Sequence, residues 1–167
     1  AIMPLAPGGG GEVNDENPMA SSLSFNWHQP IPCLYIVSDL DSIVPIAGIK
    51  DLYQRNPEPA LAVVLTNADH FHFNDHVEAA QDGYKAFIEA ANANADEETR
   101  RATNAILSVT KPSTELVPGS HAHKLINGLG VAHFDAHLND HAGAIEILQG
   151  DLPALLANQG ISISMLS

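Results

Sequence analysis

The chain predicts an α/β fold: a mainly parallel sheet followed by a helical C-terminal extension. Two short apolar runs without alternation, "CLYIV" and "LAVVLTN", have the pattern of strands buried on both faces of a sheet. A segment with helical spacing separates them, which is the strand, helix, strand order of a parallel crossover. Beyond residue 76 the pattern is helical almost to the end.

The elements follow in order. "AIMPLAP" is apolar and ends at Pro7 and the glycine run 8–11, as expected of a short buried strand stopping at a flexible turn. Residues 12–30 are polar and rich in breakers, a long loop with room for one helical turn; loops of this length tend to be functional or mobile. Pro32 precedes the strand at 33–37, and Ser38 and Asp39 end it. Residues 46–54 place Ile46, Ile49, Leu52 and Tyr53 at helical spacing, and "RNPEP" stops that helix. The second strand occupies 61–67. A helix over 77–93 carries Val77, Ala80, Tyr84, Phe87 and Ile88 on one face. Another begins in the acidic turn Asp96, Glu97 and Glu98, where carboxylates suit the helix dipole, and runs to about residue 109. "TKPSTELVPGS" is a linker, a third long helix covers about 121–138, and "DLPALLANQG" closes with a short helix stopped at Gly160. Residues 1–95 thus form the core and residues 96–167 an extension packed on the same domain.

Composition narrows the function classes. The 167 residues, 45% hydrophobic, suffice for one ordinary core. Seven basic residues against 20 acidic ones give a net charge of −13, which repels phosphate backbones and argues against nucleic-acid binding. Cys33 is the only cysteine, so no internal disulfide forms, and its apolar setting suits a buried hydrophobe. Cysteine usage leaves the compartment open. No stretch approaches the roughly 18 apolar residues of a membrane span, and no basic and apolar leader pattern occurs. The chain opens on Ala1 rather than an initiator Met, which leaves room for upstream residues.

Ligands of open α/β sheets sit beyond the carboxyl ends of the strands. Two polar clusters fall there, "SDLDSIVP" and "NADHFHFND". Asp41 and His70, 29 positions apart, would meet on neighbouring loops. In that geometry a carboxylate fixes the tautomer of an imidazole whose other nitrogen takes a proton from a nucleophile. The bland alternatives are a helix-capping aspartate and a hydrogen-bonded loop histidine. Asp39 competes with Asp41 for the acid role. Phe71 and His72 beside His70, and Trp27 in the long loop, are candidate substrate contacts, with core packing as the alternative for the aromatics. His76 reads as a surface or structural residue.

"PCLYIVSDLDSIVP" followed by "VVLTNADHFHF" resembles the C-terminal half of an α/β-hydrolase of the dienelactone hydrolase and platelet-activating-factor acetylhydrolase group. There a strand leads to an acid in a D-x-x-V/A-P context and the next strand to a G-A-x-H-F loop. The resemblance covers about residues 1–93. It implies an α/β-hydrolase-type mainly parallel sheet of which these are the C-terminal strands, with Asp41 as triad acid and His70 as triad histidine. "AIMPLAP" then matches the strand before the acid strand, residues 77–93 match the last helix, and "GLGVAHFDAHL" is similar to C-terminal extensions in some members. The departure from the family is the nucleophile: no G-x-S-x-G elbow occurs, and Ser120 in "VPGSHAH" lacks the second glycine and follows the histidine. The oxyanion-hole donors are missing with it.

The expectation is a serine-type hydrolase acting on carboxylic esters, with its nucleophile on an upstream segment or companion chain. Its substrate would be a small-molecule, lipid or polymer ester, no cofactor or metal is implied, and a homo-oligomer is compatible with it. The first alternative is a non-catalytic hydrolase-like binding or assembly module. The second is a zinc-dependent hydrolase, because "HFHFNDH" approaches an H-x-H-x-D-H motif with one residue inserted. His133, His137 and His141 recur every four residues and would line one helical face, solvated or packed.

Overall fold

The computed structural model describes residues 1–12, 17–26, 29–57, 59–93 and 95–166. Strand β1, Cys33–Ser38, and strand β2, Ala60–Leu65, pair in parallel from Cys33 opposite Ala60 to Ser38 opposite Leu65. All of β1 and the last four residues of β2 are buried, as their unbroken apolar runs require. Helix α1, Ile46–Arg55, makes the crossover and buries Ile49 and Leu52.

Helices follow in succession: α2 at Val77–Ala93, α3 at Glu97–Val109, α4 at Gly119–Leu138, α5 at Ala142–Gln149 and α6 at Leu152–Ala157. Asp96 caps α3 by accepting from the Thr99 N–H at 2.8 Å. Strand β3, Ile163–Met165, then returns to the sheet antiparallel to β2.

The expected α/β-hydrolase-type, mainly parallel sheet is therefore corrected. Of the described residues 54% are helical, and the small sheet is mixed, with one parallel pair and an antiparallel third strand. The direction of β3 has a local cause. Ser162 accepts from the Thr66 N–H at 3.0 Å, so the chain re-enters the sheet at the carboxyl end of β2. A parallel strand would need a crossover of a dozen or more residues to reach the other end, whereas only the turn through Gly160, at φ +75°, separates α6 from β3. The first segment falls short of a strand as well. It joins β1 through isolated parallel bridges, Ile2 with Cys33 and Leu5 with Ile36, and Pro4 has no N–H to continue the ladder.

Alternation along β1 and β2 sorts their side chains between two layers. Leu34, Ile36, Val63 and Leu65 pack against Ala122, Leu125 and Leu129 of α4, with Leu152, Leu156 and Ile161. Tyr35, Val37, Ala62 and Val64 face Ile49 and Leu52 of α1, with Leu23 and Phe25 at the margin. The sheet is thus held between helices, with the loops that follow β1 and β2 emerging at one rim. Among the described residues no helix is long and apolar enough to cross a membrane.

Candidate active site at the carboxyl ends of the parallel strands

The loop after β1 folds around the Asp41 carboxylate. One oxygen accepts from the backbone N–H groups of Ile43 at 3.0 Å and Val44 at 2.6 Å. The other accepts from Ser38 Oγ at 3.3 Å and faces Nδ1 of His70 at 3.0 Å. The Asp41 side chain is fully shielded from solvent and that of His70 is 30% exposed. A carboxylate can only accept, so the shared hydrogen sits on Nδ1, leaving Nε2 with its lone pair in the neutral ring. No described residue bonds that nitrogen. The hydrogen bond to Asp41 raises the His70 pKa above the ordinary histidine value; desolvation opposes this, and the charges of Asp41 and Asp69 reinforce it.

Asp69 holds the two loops together. It caps a short 3-10 turn, His70–Phe73, accepting from the His70 N–H at 2.6 Å. The same oxygen accepts from the N–H of Ser42 at 2.7 Å and its hydroxyl at 2.8 Å, across to the Asp41 loop. The second oxygen accepts from Gln81 Nε2 of α2 at 2.8 Å, and that amide also donates to the Lys111 carbonyl. Neither Asp69 nor Gln81 stood out in the sequence, yet both left signals. Asp69 stands where a cap precedes a turn, and Gln81 interrupts the apolar face of Val77, Tyr84 and Ile88, as a buried polar anchor does.

Asp39, the competing acid, engages the backbone instead of His70: its carboxylate accepts from the Ala68 N–H at 3.2 Å, and Leu40 N–H donates to the Ala68 carbonyl. His72 is buried, its Nδ1 accepting from the Asp69 N–H at 3.0 Å and its Nε2 donating to the Val117 carbonyl at 2.8 Å. Both nitrogens are spent on backbone, so the expectation that His72 contacts substrate gives way to a bolt between the His70 loop and the chain entering α4. Phe71 stays beside His70, rings edge to face at 6.1 Å, and stacks obliquely on Tyr84 at 5.1 Å. Trp27 lies outside the described residues. His76 is exposed, and Ser120, exposed in the first turn of α4, shares no hydrogen bond with His70.

No family model, no curated protein and no solved structure matches this chain.

Among the described residues no three His, Cys, Asp or Glu side chains form a group that could hold a metal ion. The expected series of three histidines on one helical face divides, since only His133 and His137 lie on α4. His133 is buried, its Nε2 donating to the Ile2 carbonyl at 3.0 Å; His137 is exposed; and His141 caps α5 through Nδ1, accepting from the Ala144 N–H at 3.2 Å.

Proposed function

We propose that Asp41 and His70 are the acid and base of a serine-type hydrolase acting on carboxylic esters, with the nucleophilic hydroxyl supplied by a segment or chain outside the residues described. The single observation that carries this is the 3.0 Å contact of a shielded carboxylate with Nδ1 of a half-open histidine whose Nε2 is unengaged by described residues. The likeness of the two loops to the acid and histidine loops of dienelactone hydrolase-type enzymes supports the ester class. The proposal rests on the site and not on the sheet.

In the proposed reaction the serine Oγ attacks the ester carbonyl while its proton passes to Nε2 of His70. Asp41 keeps the ring in the required tautomer and balances the imidazolium. Collapse of the tetrahedral intermediate breaks the bond to the alcohol oxygen, which takes the proton from Nε2, and an acyl-serine remains. Water then attacks that acyl carbon, giving its proton to Nε2, and the carboxylic acid leaves as Oγ recovers the proton.

A specific observation favours a second reading, a non-catalytic module. Two turn N–H groups and Ser38 already engage Asp41, a structural duty that needs no chemistry. Labelling the protein, together with any polypeptide that co-purifies, by a fluorophosphonate separates the two. The hydrolase reading expects a labelled serine and loss of labelling in His70→Ala. No labelled serine, or labelling indifferent to His70, would refute it and leave the module.

A further inference from the structure

A cavity of about 240 Å³ opens at the amino ends of β1 and β2, the opposite end of these strands from Asp41 and His70. Cys33 and Ala60, the first residues of the two strands, line one side of it; His133 and His137 of α4 and Ile145 and Leu148 of α5 line the other. The space has a local cause. Helices α4 and α5 meet through Ala132, Ala136 and Ala144, whose small side chains leave little volume to fill the wedge between this hairpin and the strand starts.

The chemistry of the walls selects an occupant. None of the lining residues is Asp, Glu, Lys or Arg, so a charged molecule would be desolvated there without a counter-charge. The volume lies below the roughly 300–1,000 Å³ of drug-sized sites, which suits one ring. Burial, with the neighbouring His137, pushes the His133 pKa down, and its Nε2 is held by the Ile2 carbonyl. The His137 ring sits edge-on to His133 at 4.8 Å, is exposed, and has no hydrogen bond to a described residue. An imidazole at the mouth of an apolar cavity is an acceptor for a hydroxyl.

We propose that this cavity binds a small, neutral, single-ring molecule carrying a hydroxyl, the ring lying against Ala60, Ile145 and Leu148 and the hydroxyl donating to His137. The site stands apart from the hydrolase reading and survives its failure. p-Cresol and p-xylene, which differ by a hydroxyl for a methyl, are the probes. Titrated into the 15N-labelled full chain, p-cresol should give saturable amide shifts confined to residues near 59–61, 133–137 and 145–149, and should bind about tenfold more tightly than p-xylene. In His137→Phe, which keeps a ring at an exposed position, p-cresol should fall to the p-xylene affinity while p-xylene is unchanged. Leu148→Trp should fill the space and abolish binding of both; where that variant fails to fold, His137→Phe still decides. Shifts that do not saturate, shifts scattered over exposed apolar residues, or equal p-cresol affinity in the wild type and His137→Phe would overturn the proposal.

Discussion

A single contact, Asp41 to His70, sets the residue-scale chemistry, and it has a thermodynamic signature independent of any substrate. Because the partner raises the folded-state pKa of His70, a proton on the ring stabilises the native chain. That contribution is fully present below the unfolded histidine pKa of about 6.5 and is lost as the pH rises through the higher folded value. An NMR titration of the His70 ring should therefore give a midpoint above that of an unperturbed histidine, and Asp41→Asn should move it down. The stability difference between the wild type and His70→Gln, from urea unfolding at a series of pH values, should grow toward acid. An unshifted midpoint in Asp41→Asn would mean that the two groups are not coupled in solution. The pairing was legible in the sequence because parallel neighbours deliver their following loops to one rim, a consequence of strand direction alone. What else Asp39, Asp41 and Asp69 bond was not legible. Each lies in one of the two loops, and the choice depends on turn geometry that brings Ile43 and Val44 N–H groups to Asp41 and Ser42 to Asp69.

Close backbone approach governs the placement of the elements. A Cβ on Gly10 would collide with the Gly48 carbonyl of α1 and come within 2.8 Å of the Leu52 side chain, whereas one on Gly83 in α2 would meet nothing within 4 Å. The same substitution should have opposite signs at the two positions. Gly10→Ala should destabilise by about 2 kcal/mol through overpacking. Gly83→Ala should stabilise by up to about 1 kcal/mol through helix propensity and reduced freedom of the unfolded chain. Urea midpoints with unchanged slopes would check both, and a neutral Gly10→Ala would show that the glycine run does not seat α1. Most of the helices were readable because amphipathic spacing is a local property: the helix expected at 77–93 occupies Val77–Ala93, and Asp96 caps the next, whereas α5, Ala142–Gln149, was not expected. β3 was missed although "ISIS" alternates as an exposed strand does. Its three residues are too few to outweigh the helix and glycine before them, and its partner lies about a hundred residues away.

For the whole molecule, the decisive feature is that one core draws on both ends of the chain. Leu34, Ile36, Val63 and Leu65 find their cover in Leu125, Leu129, Leu152 and Ile161. Residues 1–95 expressed alone would leave that face of the sheet bare, losing on the order of 1.5–3 kcal/mol for each large apolar side chain uncovered. They should show no cooperative thermal transition by circular dichroism, and neither should residues 96–167. A cooperative transition of 1–95 alone would mean that its core is sufficient without α4 and α6. The anchors between the halves point the same way, since His72 bonds Val117, Asn67 bonds the Glu115 carbonyl and Glu78 accepts from the Gly119 N–H.

What the sequence by itself determined are the local terms: where apolar runs and helical stripes lie, where caps and stops fall, the charge of −13, and the presence of an acid and a histidine after consecutive strands. Each is encoded within a few residues, because strand burial, helix periodicity and capping are short-range. Tertiary structure alone decided the direction of β3, the burial of His72, the bridging by Asp69, and the opposite fates of His133 and His137 on one helix. These depend on which end of a strand the returning chain reaches and which surface meets which, and such long-range pairings leave no period in the sequence.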